Sequence, residues 1–138
     1  MDRRRLLKAR RRGDAIVEFA ILAPLLVFLL FGILEVGRVV DAWLVVHNAA
    51  REGARAGALD YQNTTTTATN AAQAYLSSAL APRGDITWSG VRTGGVTVTA
   101  DSVQVTAEVD VQILTPWFQS LLGTTASHVQ ATASMRRQ

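Results

Sequence analysis

Few side chains in this sequence are placed to do chemistry, and the first of them is Glu18. It is the only ionisable residue in an apolar run from Ala15 to Leu34, where an unpaired charge at a bilayer centre costs on the order of 2.5–3.5 kcal/mol on insertion scales. A carboxylate kept there needs a route to the interface or a cationic partner. The other candidates do not converge. His47 and His128 stand far apart, with no cysteine in the chain and no carboxylate cluster at ligand spacing, so no metal site is expected. Glu108 and Asp110 fall on one face of an alternating stretch and read as solvated surface. No serine lies in a G-x-S-x-G context, and no glycine-rich phosphate loop follows a strand. The triplets Arg12-Gly13-Asp14 and Arg83-Gly84-Asp85, and the sequon Asn63-Thr64-Thr65, are short enough to arise by chance. The chain is therefore not read as an enzyme, and no cofactor is expected.

The element that must position Glu18 is a helix, because only a helix satisfies every backbone donor and acceptor of a single apolar segment in lipid. About 20 residues suffice to cross the roughly 30 Å hydrocarbon core, and the run has that length. Ahead of it, residues 1–13 carry Arg3, Arg4, Arg5, Lys8, Arg10, Arg11 and Arg12 against one acid. The basic pI of about 10.2 belongs to this leader, since the remainder holds more acids than bases. Such a cluster holds the N-terminus in the cytoplasm and sends the C-terminus across the membrane. A nucleic-acid tail would call for a second basic patch, and none is present. A secretory signal peptide would have a shorter apolar core ending at a small-residue cleavage site. The alternatives left open are a processed N-terminus and an uncleaved signal anchor carrying a small partner-binding ectodomain.

The segment Gly13-Asp14-Ala15-Ile16-Val17-Glu18-Phe19-Ala20, with Pro24, Glu35 between Gly32 and Gly37, and Asn48-Ala49-Ala50-Arg51-Glu52-Gly53-Ala54-Arg55, resembles a type IV pilin-like subunit. It resembles more closely the TadE-like minor pseudopilins of the tight-adherence (Flp) pilus machinery. The resemblance covers roughly residues 13–58, with weaker similarity in the C-terminal strand from Thr125 to Arg136. It implies a prepilin peptidase processing site, with Gly13 before the cut, Asp14 as the new N-terminus and Glu18 fifth in the product. It also implies that Glu18 acts as an intramembrane charge partner for the terminal amine of a neighbouring subunit. Its implied partners are membrane lipid, the peptidase, other pilin or pseudopilin subunits and the Tad secretion machinery. The implied location is the cytoplasmic membrane, in a single pass. Asp14 departs from the aromatic or methionine common at that place in major pilins, which favours a minor role over incorporation into a long filament.

Beyond Leu34 the pattern turns amphipathic without a stop signal. Glu35, Arg38 and Asp41 recur at three-residue spacing and can pair along one edge, Trp43 suits either the outer interface or a position facing the ectodomain, and Ala, Leu, Arg and Glu carry the helix to about Ala58. Pro24 removes an amide donor and predicts a curve or kink. Two small-residue rows, Ala49/Gly53/Gly57 and Ala50/Ala54/Ala58, permit close approach by another backbone, either this chain's own sheet or another subunit. Asn48, Arg51, Glu52 and Arg55 form the opposite, wetter face.

Asp60 to Thr69 lacks periodicity and reads as an exposed loop, followed by a short helix from Asn70 to Leu80 with Ala71, Ala74, Tyr75 and Ala79 facing inward. Ala81 to Asp85 should break that helix. Strands are expected at Ile86–Trp88, Val96–Thr99, Ser102–Ile113 and Thr125–Met135, with a turn at Thr93-Gly94-Gly95. Val103, Val105, Ala107, Val109 and Val111 fall on one face of the third, and Gln104, Thr106, Glu108, Asp110 and Gln112 on the other. Thr115-Pro116 opens a short helix that Gly123 stops. The expected fold is α+β, with a leader over 1–13, a long helix over 14–58 whose membrane span is about 15–35, and an extracytoplasmic head over 59–138.

Overall fold

The computed structural model describes residues 3–80, 86–87 and 95–137. The chain is α+β, a long N-terminal helix followed by a small antiparallel sheet. It divides into two compact units, Met1–Glu35 and Val36–Gln138. The helix α1 (Arg3–Leu59) is assigned without a break through Pro24. In the first unit its apolar side chains face outward, with Ile16, Phe19, Ile21 and Leu25 all exposed. Among the described residues α1 is the one helix long and apolar enough to cross a membrane.

The second unit is built around alanine, glycine and valine. From Ala42 onward α1 buries Val46, Ala49, Ala50, Gly53, Ala54, Gly57 and Ala58, a helical stripe of mostly small residues. The next helix, α2 (Thr64–Leu80), buries Thr64, Ala68, Ala72, Leu76 and Leu80, a strict four-residue row. The sheet supplies the third surface. Its central strand β3 (Ser102–Gln112) buries Val103, Val105, Ala107, Val109 and Val111, the face that alternation predicts. Small side chains bring the backbones close, while Leu76 and Leu80 supply bulk, each worth about 1.5–3 kcal/mol of burial.

In the sheet, β1 (Ile86–Thr87) and β2 (Val96–Val98) pair antiparallel with different parts of one edge of β3. The strand β4 (Ala126–Arg136) pairs along the whole other edge, from Ser102↔Arg136 to Gln112↔Ala126. Between β3 and β4 lies α3 (Pro116–Leu122), ended by Gly123 at φ 67°, a left-handed position that suits glycine. The expected break at Ala81–Asp85, the end of the first strand at Trp88 and the turn at Thr93-Gly94 lie outside the described residues.

Two expectations are corrected. The threonine run is helical, since α2 begins at Thr64. Threonine is a weak helix former, but here Asp60 and the threonine hydroxyls fix the turn that leads into the helix. The Asp60 carboxylate accepts the Gln62 and Asn63 amides at 3.1 and 3.0 Å and the Thr67 hydroxyl at 2.7 Å, and Thr64 Oγ1 donates to the Asp60 carbonyl. The earlier start also sets the buried face. Ala68, Ala72 and Leu76 point inward, whereas Ala74 is exposed and Ala71, Tyr75 and Ala79 are half-buried. The second correction concerns Glu108, which is 8% exposed rather than solvated. It lies mid-strand with Gln130 directly opposite and His128 on the diagonal.

Candidate functional site

Gly13 and Asp14 lie within the helical course of α1, and Glu18 follows one turn later. Glu18 is exposed, and the positions on its own face, Ile21, Leu22 and Leu25, are exposed and apolar as well. In water such a stripe would be an unsatisfied hydrophobic surface. In a bilayer it is the surface that lipid covers, and Glu18 is then the one charge to be matched along it.

The two small-residue rows are placed differently. Ala49, Ala50, Gly53, Ala54, Gly57 and Ala58 are all buried within the second unit. A methyl group added at Gly53 would lie 2.8 Å from the Ala68 carbonyl oxygen, 2.9 Å from Ala72 Cβ and 3.3 Å from Val105 Cγ1. One added at Gly57 would lie 2.8 Å from Ala68 Cβ and 3.2 Å from Val103 Cγ1. These glycines therefore set the approach of α1 to α2 and β3 at once, and this chain's own elements occupy the seam. On the outer face Arg55 makes a two-point contact with Glu52, Nη2–Oε1 at 2.6 Å and Nε–Oε2 at 3.1 Å. That contact lowers the Glu52 pKa and raises that of Arg55, chiefly through the side-chain hydrogen bond. Both groups are well hydrated, so the pair adds little stability.

Four relationships were not read from the sequence. Arg38 Nη2 donates to the Gln112 carbonyl at 3.0 Å, tying α1 to the end of β3. Trp43 and His47 stack with ring centroids 5.4 Å apart and planes 11° from parallel, a pair that their four-residue spacing could have suggested. His128 Nδ1 lies 2.8 Å from Asp110 Oδ1, and its Nε2 lies 3.7 Å from Glu108 Oε2. Only the β3–β4 register reveals that cluster. Arg137 Nη2 donates to Thr64 Oγ1 at 2.9 Å, and the guanidinium lies 4.5 Å from the Tyr61 ring centroid. Among the described residues, no group of His, Asp and Glu side chains is arranged to hold a metal ion.

A long apolar helix ahead of a small antiparallel sheet suggests the class of single-pass membrane-anchored α+β proteins. Within it, residues 13–55 match the model of the TadE-like protein family, the family that the N-terminal motif resembles. The match spans the segment from Gly13 through Glu18 and the apolar run to Arg55. No curated protein and no solved structure matches the chain.

Proposed function

We propose that this chain is a minor pseudopilin of a Tad (Flp-type) pilus or a related secretion apparatus, held in the cytoplasmic membrane by residues 15–35. The observation that carries this reading is the match of residues 13–55 to the TadE-like family over a helix whose apolar side chains face outward. Residues 1–13 serve as a basic cytoplasmic leader, and residues 59–138 form the extracytoplasmic head, which packs on the latter part of the helix. Prepilin peptidase cuts between Gly13 and Asp14. Glu18 then pairs in the membrane with the terminal amine of a neighbouring subunit, an attraction that low dielectric strengthens because water no longer screens it. The role is structural rather than catalytic.

Mass spectrometry of the protein extracted from membranes of cells that contain the peptidase tests this reading. A product beginning at Asp14 supports it, and Gly13→Ala should insert normally while remaining uncut. An intact Met1 terminus in those cells would favour the uncleaved signal anchor with a partner-binding head.

A further inference from the structure

From Ile113 to Ser127 the chain has no acidic or basic residue. This stretch joins β3 to β4 and carries α3, and it leaves four large apolar side chains exposed. Leu114 is 59% exposed, Trp117 39%, Leu121 70% and Leu122 61%. Four large apolar side chains exposed within nine residues are a concentration of apolar surface. The segment is held in shape. Gln119 Nε2 donates to the Ile113 carbonyl at 2.5 Å, the Gly123 amide donates to Gln119 at 2.9 Å, and the Ile113 amide donates to Thr125 at 3.0 Å. Trp117 and Leu121 stand one helical turn apart, on the same side of α3.

The direction of β3 along α1 says what covers this tip. Gly57 packs beside Val103 and Gly53 beside Val105, while Arg38 reaches the Gln112 carbonyl. The strand therefore runs back along α1, and its α3 end lies beside the residues where the chain enters this unit. Arg38 is four residues past Leu34, about 6 Å of helical rise. The tip therefore lies at the end of this unit that follows directly on residues 15–35 in the chain.

We infer that the Leu114, Trp117, Leu121 and Leu122 tip is a second membrane contact, seated in the interfacial layer of the leaflet from which α1 emerges. This rests on residues 15–35 being the span. The chemistry fits a lipid surface. Tryptophan favours the headgroup region, leucines enter the acyl boundary, and the absence of charge removes the desolvation cost that normally opposes such contact. Beyond the chain connection at Val36, α3 then gives the head a contact of its own with the bilayer.

Trp43, Trp88 and Trp117 are the three tryptophans, so Trp43→Phe with Trp88→Phe leaves Trp117 as the sole reporter in the full chain. The protein is reconstituted into phosphatidylcholine vesicles containing lipids brominated near the top of the acyl chain. The expected result is blue-shifted emission and quenching by bromolipid several-fold stronger than for Ala100→Trp in a tryptophan-free background, which marks the opposite end of the sheet. Leu121→Asp with Leu122→Asp, both exposed positions, should abolish the Trp117 quenching while leaving the circular dichroism unchanged. Quenching of Trp117 by aqueous iodide as strongly as at position 100 overturns the proposal. Protection from both iodide and bromolipid also overturns it, because protein such as a second copy then covers the tip. Phe28→Trp in the tryptophan-free background separates the two levels. Its quenching by deeply brominated lipid, with none at Trp117, defeats the tip contact alone, whereas loss of quenching at position 28 defeats the span and the tip contact together.

Discussion

Gly53 of α1 faces Ala68 of α2 so closely that a methyl group placed on Gly53 would sit 2.8 Å from the Ala68 carbonyl oxygen. The obstacle is backbone, so relief requires the two helices to part. Gly53→Ala is expected to destabilise the protein, because overpacking of about 1–3 kcal/mol exceeds the gain in helix propensity of no more than about 1 kcal/mol. Gly37→Ala is the matched control. Nothing lies within 4 Å of its added methyl, so it should raise stability by up to about 1 kcal/mol. Thermal melts of the detergent-solubilised full chain should show shifts of opposite sign. Equal shifts would mean that the seam is not close-packed.

Asp60 organises the turn between α1 and α2, and its carboxyl pKa is held below the ordinary 3.8, first by the Thr67 hydroxyl and then by the Asn63 amide. A folded-state pKa below the unfolded value adds stability at pH above about 4, and this is lost as the pH falls through the folded value. Asp60→Asn should therefore melt below the wild type at pH 7, and the gap should be smaller at pH 3. A gap of the same size at both pH values would show that the turn does not depend on the charge.

The β3–β4 register places Thr106 opposite Thr132, with their hydroxyls 2.9 Å apart. Replacing either by valine keeps the β-branched shape and removes the hydrogen bond. A double-mutant cycle on Thr106→Val and Thr132→Val should give a coupling of about 0.2–1 kcal/mol, measured by denaturant unfolding in detergent. A coupling indistinguishable from zero would argue against this register.

If Glu18 pairs with a neighbour's terminal amine, Glu18→Gln should still reach the membrane and still be trimmed, yet lose association with other pilin-like subunits. Co-purification of the mature variant with those subunits after membrane extraction is the measurement. Retention at the wild-type level would remove Glu18 from that role.

The helix, the outward apolar run and the valine face of β3 were legible because each is a local period. Apolar residues recur without interruption from Ala15 to Leu34, broken by Glu18 alone, and valine or alanine takes every second position from Val103 to Val111. The short helix α3 was equally legible from Thr115-Pro116 and Gly123. The start of α2 was not, because threonines disfavour a helix and the turn that leads into it is fixed by Asp60. Nor was the burial of Glu108, since alternation reports which face a residue takes but not what lies across the strand.

Composition and spacing alone, then, determined that the N-terminal quarter is a basic segment followed by an apolar stretch of bilayer length, because charge segregation and helical rise are properties of consecutive residues. Which surface Gly53 and Gly57 approach, which side chains meet His128, and where the uncharged α3 tip stands along α1 were decided by tertiary structure. Those depend on residues brought together from distant parts of the chain, as Arg38 and Gln112 are, and only packing and strand register bring them there.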